Sequence, residues 1–301
     1  MTTAQATAEG TIPFQGHETW YRVTGDLKSG PTPLVVLHGG PGCTHDYLLR
    51  LTALAGSGRP VVHYDQVGNG RSTHLPDAPS DYWTPELFVA ELENLLSALG
   101  IADRYTVLGQ SWGGMLAAEH AVRQPAGLRG LVIADSPASM ELWSAAAGEL
   151  RAELPRAVDD VLREHETAGT TDSAAYQEAM QAFYERHVCR IQPMPAEVAA
   201  TFAAMDADPT VYQTMNGPSE FHVIGSLTGW SIVDRVGQIQ VPTLLASGRY
   251  DEATTATIAP FFTGIPDVRW SVFAESSHMP HVEEADRFNA VIGGFLASLD
   301  G

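Results

Sequence analysis

Tyr105-Thr106-Val107-Leu108-Gly109-Gln110-Ser111-Trp112-Gly113-Gly114-Met115-Leu116-Ala117-Ala118-Glu119-His120-Ala121-Val122 joins a short apolar, β-branched run to an Ala-rich helical run through a Gly-x-Ser-x-Gly turn. A Gly/Ser turn of this pattern also arises by chance. A strand directly before it and a helix directly after it make it a nucleophile elbow, with Ser111 at the tip. A serine held there adopts a strained backbone, and a Cβ at position 109 or 113 would strike the strand and helix that cross beside it.

Outward from that stretch, five more segments read as strands of a largely parallel sheet: Leu34 to Leu37, Val61 to Tyr64, Leu131 to Ala134, Thr243 to Ala246 and Arg269 to Phe273. Like Tyr105 to Leu108, most are continuous apolar runs, as expected of strands covered on both faces. Glu18 to Val23 reads as an antiparallel edge strand. Helical patterns alternate with the strands. The clearest is Pro85 to Leu99, with Thr84 as N-cap, Phe88, Leu92, Leu95 and Leu99 on one stripe, and Gly100 as the stop. The pattern predicts an α/β fold, a mostly parallel sheet with helices on both faces. Between about Pro137 and Gln240 strand signals vanish, and acidic, Ala-rich amphipathic segments such as Glu141 to Arg163 and Ser173 to Val188 take over. This predicts a core of residues 1–136 and 241–301 with a helical lid inserted at 137–240. The lid aromatics Trp143, Tyr176, Phe183, Tyr184, Phe202, Tyr212, Phe221 and Trp230 are expected mostly to pack against one another, a minority lining a substrate pocket.

The chain has 301 residues, 44% of them hydrophobic, enough to bury a sizeable core. Its 36 acidic and 17 basic residues give a net charge of −19, which repels phosphate backbones and anionic membrane surfaces. Neither nucleic acid nor membrane is an expected partner. No apolar stretch approaches the ~20 residues that cross a bilayer, and Met1 to Gly10 lacks the basic and apolar parts of a leader, so a cytoplasmic location is expected. Cys43 and Cys189 are too few for a disulfide framework and read as incidental thiols.

A serine hydroxyl needs a base and an orienting acid, which in this kind of fold follow it in the order Ser, acid, His. Asp251 lies just past one predicted strand, in Ser247-Gly248-Arg249-Tyr250-Asp251-Glu252, and His278 just past the last, in Glu275-Ser276-Ser277-His278-Met279-Pro280. Loops at the carboxyl ends of parallel strands converge over the sheet, so 111, 251 and 278 can meet. His281 is the rival base; its place before the helical run Glu283 to Leu299 suits a cap or a supporting group better. Oxyanion donors are expected from the backbone N–H of Trp112 and from His38-Gly39-Gly40-Pro41-Gly42, within which Gly40 is favoured because an amide must reach the substrate with no side chain in the way. That glycine cluster lacks the lysine of a phosphate-binding loop. Asp65-Gln66-Val67-Gly68-Asn69-Gly70-Arg71-Ser72 reads as a structural loop, Asp65 and Arg71 bracing the floor of the site. No histidine pair has metal-ligand spacing, so no catalytic metal is expected.

Taken together, HGGPG at 38–42, DQVGNGRS at 65–72, GQSWGG at 109–114, GRYDE at 248–252 and SSHMPHVEE at 276–284 resemble the proline iminopeptidase family of α/β hydrolases. HGGPGCTHDYL at 38–48 and MNGPSEF at 215–221 are similar to its tricorn-interacting aminopeptidase and amino-acid amidase branch. The resemblance implies nucleophile, acid and base at Ser111, Asp251 and His278, no cofactor, and release of an N-terminal residue, proline or another apolar one, from short peptides or amino-acid amides. It further implies that Glu220 and Glu252 receive the substrate's free amine, where two desolvated carboxylates facing an ammonium exclude a blocked one. The alternative with the same machinery is a carboxylesterase or lactonase acting on a small neutral ester. Epoxide hydrolase and dehalogenase chemistry needs a carboxylate where Ser111 stands, and a silent ligand-binding protein would not need every triad position filled. Oligomeric state is left open.

Overall fold

The computed structural model describes residues 8–28 and 30–300. Residues 1–7 of the stretch read for a leader lie outside them. Eight strands form one sheet: β1 (Ala8–Phe14), β2 (His17–Thr24), β3 (Leu34–Leu37), β4 (Val61–Tyr64), β5 (Tyr105–Gln110), β6 (Leu128–Ala134), β7 (Thr243–Gly248) and β8 (Val268–Phe273). Their order is β1-β2-β4-β3-β5-β6-β7-β8, with β1 and β2 antiparallel and every pair from β4 to β8 parallel. β3, β4, β5 and β7 are buried along their whole length, the burial that their unbroken apolar runs require.

Two expectations at the amino end are corrected. The Glu18 to Val23 run is not an edge: β2 pairs with β4 on one side and with the unforeseen β1 on the other. β1, Ala-Glu-Gly-Thr-Ile-Pro-Phe, carries Gly10 and Pro13 and has no clean alternation. An edge strand tolerates a proline that a central one would not.

Helices α1 (Pro85–Ala98) and α2 (Trp112–Ala121) lie between the early parallel strands, and α8 (Thr255–Gly264), α9 (Pro280–Glu283) and α10 (Ala285–Ser298) follow β7 and β8. In α1 the Thr84 side chain accepts a hydrogen bond from the Leu87 amide, as an N-cap does. α2 is buried on every side, in keeping with its Ala-rich sequence and central place.

Between β6 and β7 come α3 (Met140–Ala152), α4 (Arg156–Ala168), α5 (Ala174–His187), α6 (Ala196–Ala207) and α7 (Thr210–Met215). Glu141 to Arg163 is thus two helices rather than one segment: Pro155 has no N–H to continue α3 and stands instead at the start of α4. Arg151 ties the two together by pairing with Asp159 and Glu166 at 2.8 Å while its guanidinium lies over Phe221. Among the described residues no helix is long and apolar enough to cross a membrane.

The sheet centre, β3 and β5, is where α2 crosses most closely. A Cβ on Gly113 would stand 2.2 Å from the Leu37 carbonyl oxygen, and one on Gly109 1.9 Å from the Gly113 carbonyl oxygen. Both contacts are with backbone, which cannot swing aside. Gly113→Ala is therefore expected to lower the urea midpoint by an amount equivalent to about 1–3 kcal/mol or more. An unchanged midpoint would show that helix and strand can separate at no cost.

Candidate active site

Ser111 has φ 56° and ψ −124°, a conformation that L-residues rarely adopt. It is held by its own amide, which donates to the Ala134 carbonyl of β6 at 2.9 Å, and by the start of α2, where Gly114 and Met115 donate to the Ser111 carbonyl. The Trp112 N–H belongs to the first turn of α2, whose amides have no partner within the helix and point outward at its positive end.

Asp251 and His278 come from the loops after β7 and β8. Asp251 Oδ1 lies 2.7 Å from His278 Nδ1 and also accepts from the Ala253 amide at 2.8 Å. Burial by itself would lower the His278 pKa; Asp251 and then Glu220 overcome it and hold the imidazole above its ordinary value. The His278 backbone is fixed at both ends, its N–H donating to the His187 carbonyl at 3.1 Å and its carbonyl accepting from Gln110 Nε2 at 2.9 Å. Gln110 in turn accepts from the Tyr47 hydroxyl, and that hydroxyl accepts from the Gly39 amide at 2.7 Å. One chain of hydrogen bonds thus runs from the base loop through the elbow to the glycine loop. Among the described residues Ser111 Oγ makes no hydrogen bond to His278. Such bonds commonly close only when substrate arrives.

Tyr47 occupies the Gly39 amide, and of the glycines in this loop Gly40 lines one small cavity together with Ser111 and Trp112. Gly40 has φ +106°, a left-handed conformation in which a side chain is strained, and a Cβ there would meet the Gly42 amide at 2.3 Å. The remaining walls are Met115, Pro137, Met140, Trp143, Asn216, Glu220 and Leu227. All but Met115 come from residues 137–240.

Both glutamates lie in this neighbourhood, Glu252 buried and Glu220 half-buried. Glu220 follows α7, its Oε1 accepting from the Tyr212 hydroxyl at 2.8 Å, its amide donating to the Tyr184 hydroxyl and its carbonyl accepting from Trp143 Nε1 at 2.7 Å. Glu252 has its Oε1 3.7 Å from His278 Nε2, and among the described residues neither of its carboxylate oxygens has a hydrogen-bond partner. Burial raises the pKa of both, and for Glu252 the charges of Glu220 and Asp251 raise it further.

Other expectations fall elsewhere. His281 sits inside α9 with no capping hydrogen bond, its ring edge-on to Tyr47 and Phe288, and burial lowers its pKa to about 3. Asp65 braces the floor by accepting from His45 and from the Arg71 amide, but the Arg71 side chain turns outward to Glu9 and Trp20. Cys43 is a half-buried thiol pushed up to about 12, first by burial and then by Glu220, and Cys189 is buried. Tyr176, Phe183 and Phe221 pack on one another, whereas Tyr184, Phe202 and Tyr212 line a separate groove of about 350 Å³. Sequence reasoning missed Gln110, Tyr47, His187 and Asp135. Of these only Gln110 carried a signal, its place inside the elbow. Among the described residues no cluster of His, Cys, Asp and Glu could hold a metal ion.

Fold and site define a class: the family model described as the alpha/beta hydrolase fold matches residues 32–285. Nearer relatives narrow it. The proline iminopeptidase of Lactobacillus delbrueckii subsp. bulgaricus is 36% identical over 292 residues, 96% of this chain and 97% of that one. The crystal structure of the Mycobacterium smegmatis proline iminopeptidase superposes with a TM-score of 0.91 at 54% identity, covering 97% of this chain and 99% of that one. That of VinJ gives 0.97 at 58%, covering 98% and 100%. The chain belongs to the proline iminopeptidase family of α/β hydrolases.

A general base must be neutral, so activity rises with pH as the imidazole loses its proton. With His278 held above the ordinary histidine value, the acid limb of kcat/KM on an amine-free ester such as phenyl acetate is expected above pH 6.5, the unperturbed value. Glu220→Gln removes one of the charges that hold it there and should move the limb to lower pH; a limb that stays in place would show that Glu220 does not act on the imidazole.

Proposed function

We propose that this chain is a serine aminopeptidase or amidase that releases an N-terminal residue, proline or another apolar one, from short peptides or amino-acid amides. The observation that carries this reading is the pair of carboxylates at the site, above all the buried Glu252, whose two oxygens lack a hydrogen-bond partner among the described residues. A buried carboxylate without a counter-charge costs several kcal/mol. A substrate ammonium placed between Glu220 and Glu252 supplies that charge, and its N–H groups satisfy the free oxygens. An ester without an amine leaves them as they are. The proline iminopeptidase relatives support the same conclusion.

The chemistry then follows from the triad. His278 Nε2 takes the Ser111 proton as Oγ bonds to the carbonyl carbon of the first residue, and the Trp112 and Gly40 amides receive the oxyanion. His278 gives the proton to the leaving nitrogen as the C–N bond breaks, leaving an acyl ester on Ser111. Water attacks that ester, its proton passes to His278 and then to Ser111 Oγ, and the free amino acid departs. Residues 137–240 act as the lid, because Met140, Trp143, Asn216, Glu220 and Leu227 close the cavity over Ser111. Only about 10 Å³ is free in it, room for about one water, so any first residue has to move its walls apart.

Ser111→Ala is expected to lower kcat on an aminoacyl anilide by on the order of a millionfold. On the same anilide Glu252→Gln should lower kcat/KM by roughly 2–5 kcal/mol, about thirtyfold or more, while changing phenyl acetate hydrolysis far less. N-acetylated anilides should be inert. Equal losses on anilide and ester would replace the aminopeptidase with an esterase. Leu227→Ala should raise kcat/KM for phenylalanine anilide relative to alanine anilide; an unchanged ratio would place the side-chain pocket elsewhere.

A further inference from the structure

Asp135 is the first residue after β6, one step beyond the Ala134 pairing with Ala246 of β7. It has φ 51° and is fully buried. Its amide donates to the Ala246 carbonyl at 2.8 Å, and its Oδ1 accepts from the Gly248 amide at 3.2 Å. These bonds aim the carboxyl at the loop after β7, where Asp251 is its nearest charged neighbour. Among the described residues neither Asp135 Oδ2 nor Asp251 Oδ2, both buried, has a hydrogen-bond partner.

We propose that Asp135 carries a proton on Oδ2 and donates it to Asp251 Oδ2, which makes it a positioning residue for the triad acid. The inference rests on the triad described above. Two ionised carboxylates in contact without water repel strongly, so the pair holds one proton and titrates as a unit. Asp135 is the member that carries the proton, because it accepts from a single amide, whereas Asp251 accepts from His278 Nδ1 and the Ala253 amide. The remaining groups that bear on Asp135 point the same way: Glu283 of α9 adds negative charge, Tyr47 is a neutral phenol, and His278 lies beyond Asp251. Burial first, then Asp251, push the Asp135 pKa well above the usual carboxylate range. With its second oxygen tied down, Asp251 cannot rotate away from the imidazole.

The test compares Asp135→Asn and Asp135→Gly in the full chain. Asparagine keeps an N–H for Asp251 and an oxygen for the Gly248 amide; glycine removes both and suits the positive φ, so that the fold, checked by thermal unfolding, is kept. The infrared difference between parent and Asp135→Asn at pH 7 should show the carbonyl stretch of a protonated carboxylic acid in the parent. Asp135→Asn should retain kcat within about threefold, the change expected when one neutral donor replaces another. Asp135→Gly should lower kcat roughly 10–100-fold with little change in KM, as loss of an orienting partner does at metal ligands. It should also move the acid limb of kcat to higher pH, since an Asp251 carboxylate that no longer shares its charge with a donor holds the His278 proton more strongly.

No protonated carboxyl band, an Asp135→Asn variant as impaired as Asp135→Gly, or an Asp135→Gly variant with the parent's kcat and pH profile would each overturn the proposal. The infrared band does not depend on turnover. A Ser111→Ala chain that keeps full activity would therefore refute the triad and leave the Asp135 proton to be judged by itself.

Discussion

The close approach of α2 to β3, possible only because Gly113 presents no side chain to the Leu37 carbonyl, is the constraint on which the remainder depends. It lets β5 turn at once into α2, which forces Ser111 into its strained conformation and turns the Trp112 amide toward the same space as Gly40. A helix set back by a carbon's width would need a longer turn, and the serine would no longer be held at the tip. Strain at the nucleophile is thus offset by burial in the body of the fold, where α2 is enclosed on all sides.

Around that point negative charge accumulates. Asp135, Asp251 and Glu252 are buried and Glu220 is half-buried, and the imidazole of His278 is the basic group beside them. The protein resolves this surplus differently at each place. Asp251 is held by hydrogen bonds from His278 and the Ala253 amide. Glu220 leans on the Tyr212 hydroxyl. Glu252 has no hydrogen-bond partner among the described residues, and in the reading offered here the missing counter-charge comes with the substrate. The net charge of −19 therefore understates how specifically some of the acid is placed.

Residues 137–240 do more than cover the site. His187, at the end of α5, accepts from both the His278 and Glu252 amides, so this segment anchors the loops that carry the base and the second glutamate. Trp143 of α3 packs edge-on to His278 while holding the Glu220 carbonyl. Movement of these helices would disturb the base and the acid pair together.

The parallel strands, the elbow and the order of serine, acid and histidine were legible in the chain, because each rests on local pattern: unbroken apolar runs, a strand–turn–helix junction, and polar residues just past strand ends. Glu220 and Glu252 were legible only through resemblance, since a glutamate in an acidic chain carries no local mark of burial. β1 and the break at Pro155 were missed where edge exposure and a single proline outweigh periodicity. What the tertiary structure alone decided is the partnership of side chains from distant segments: Gln110 with His278, His187 with both catalytic loops, Asp135 with Asp251. Those contacts depend on which strands become neighbours in the sheet and on where the inserted helices settle. Desolvation, which sets the charge state of each acid, exists only after that packing is complete.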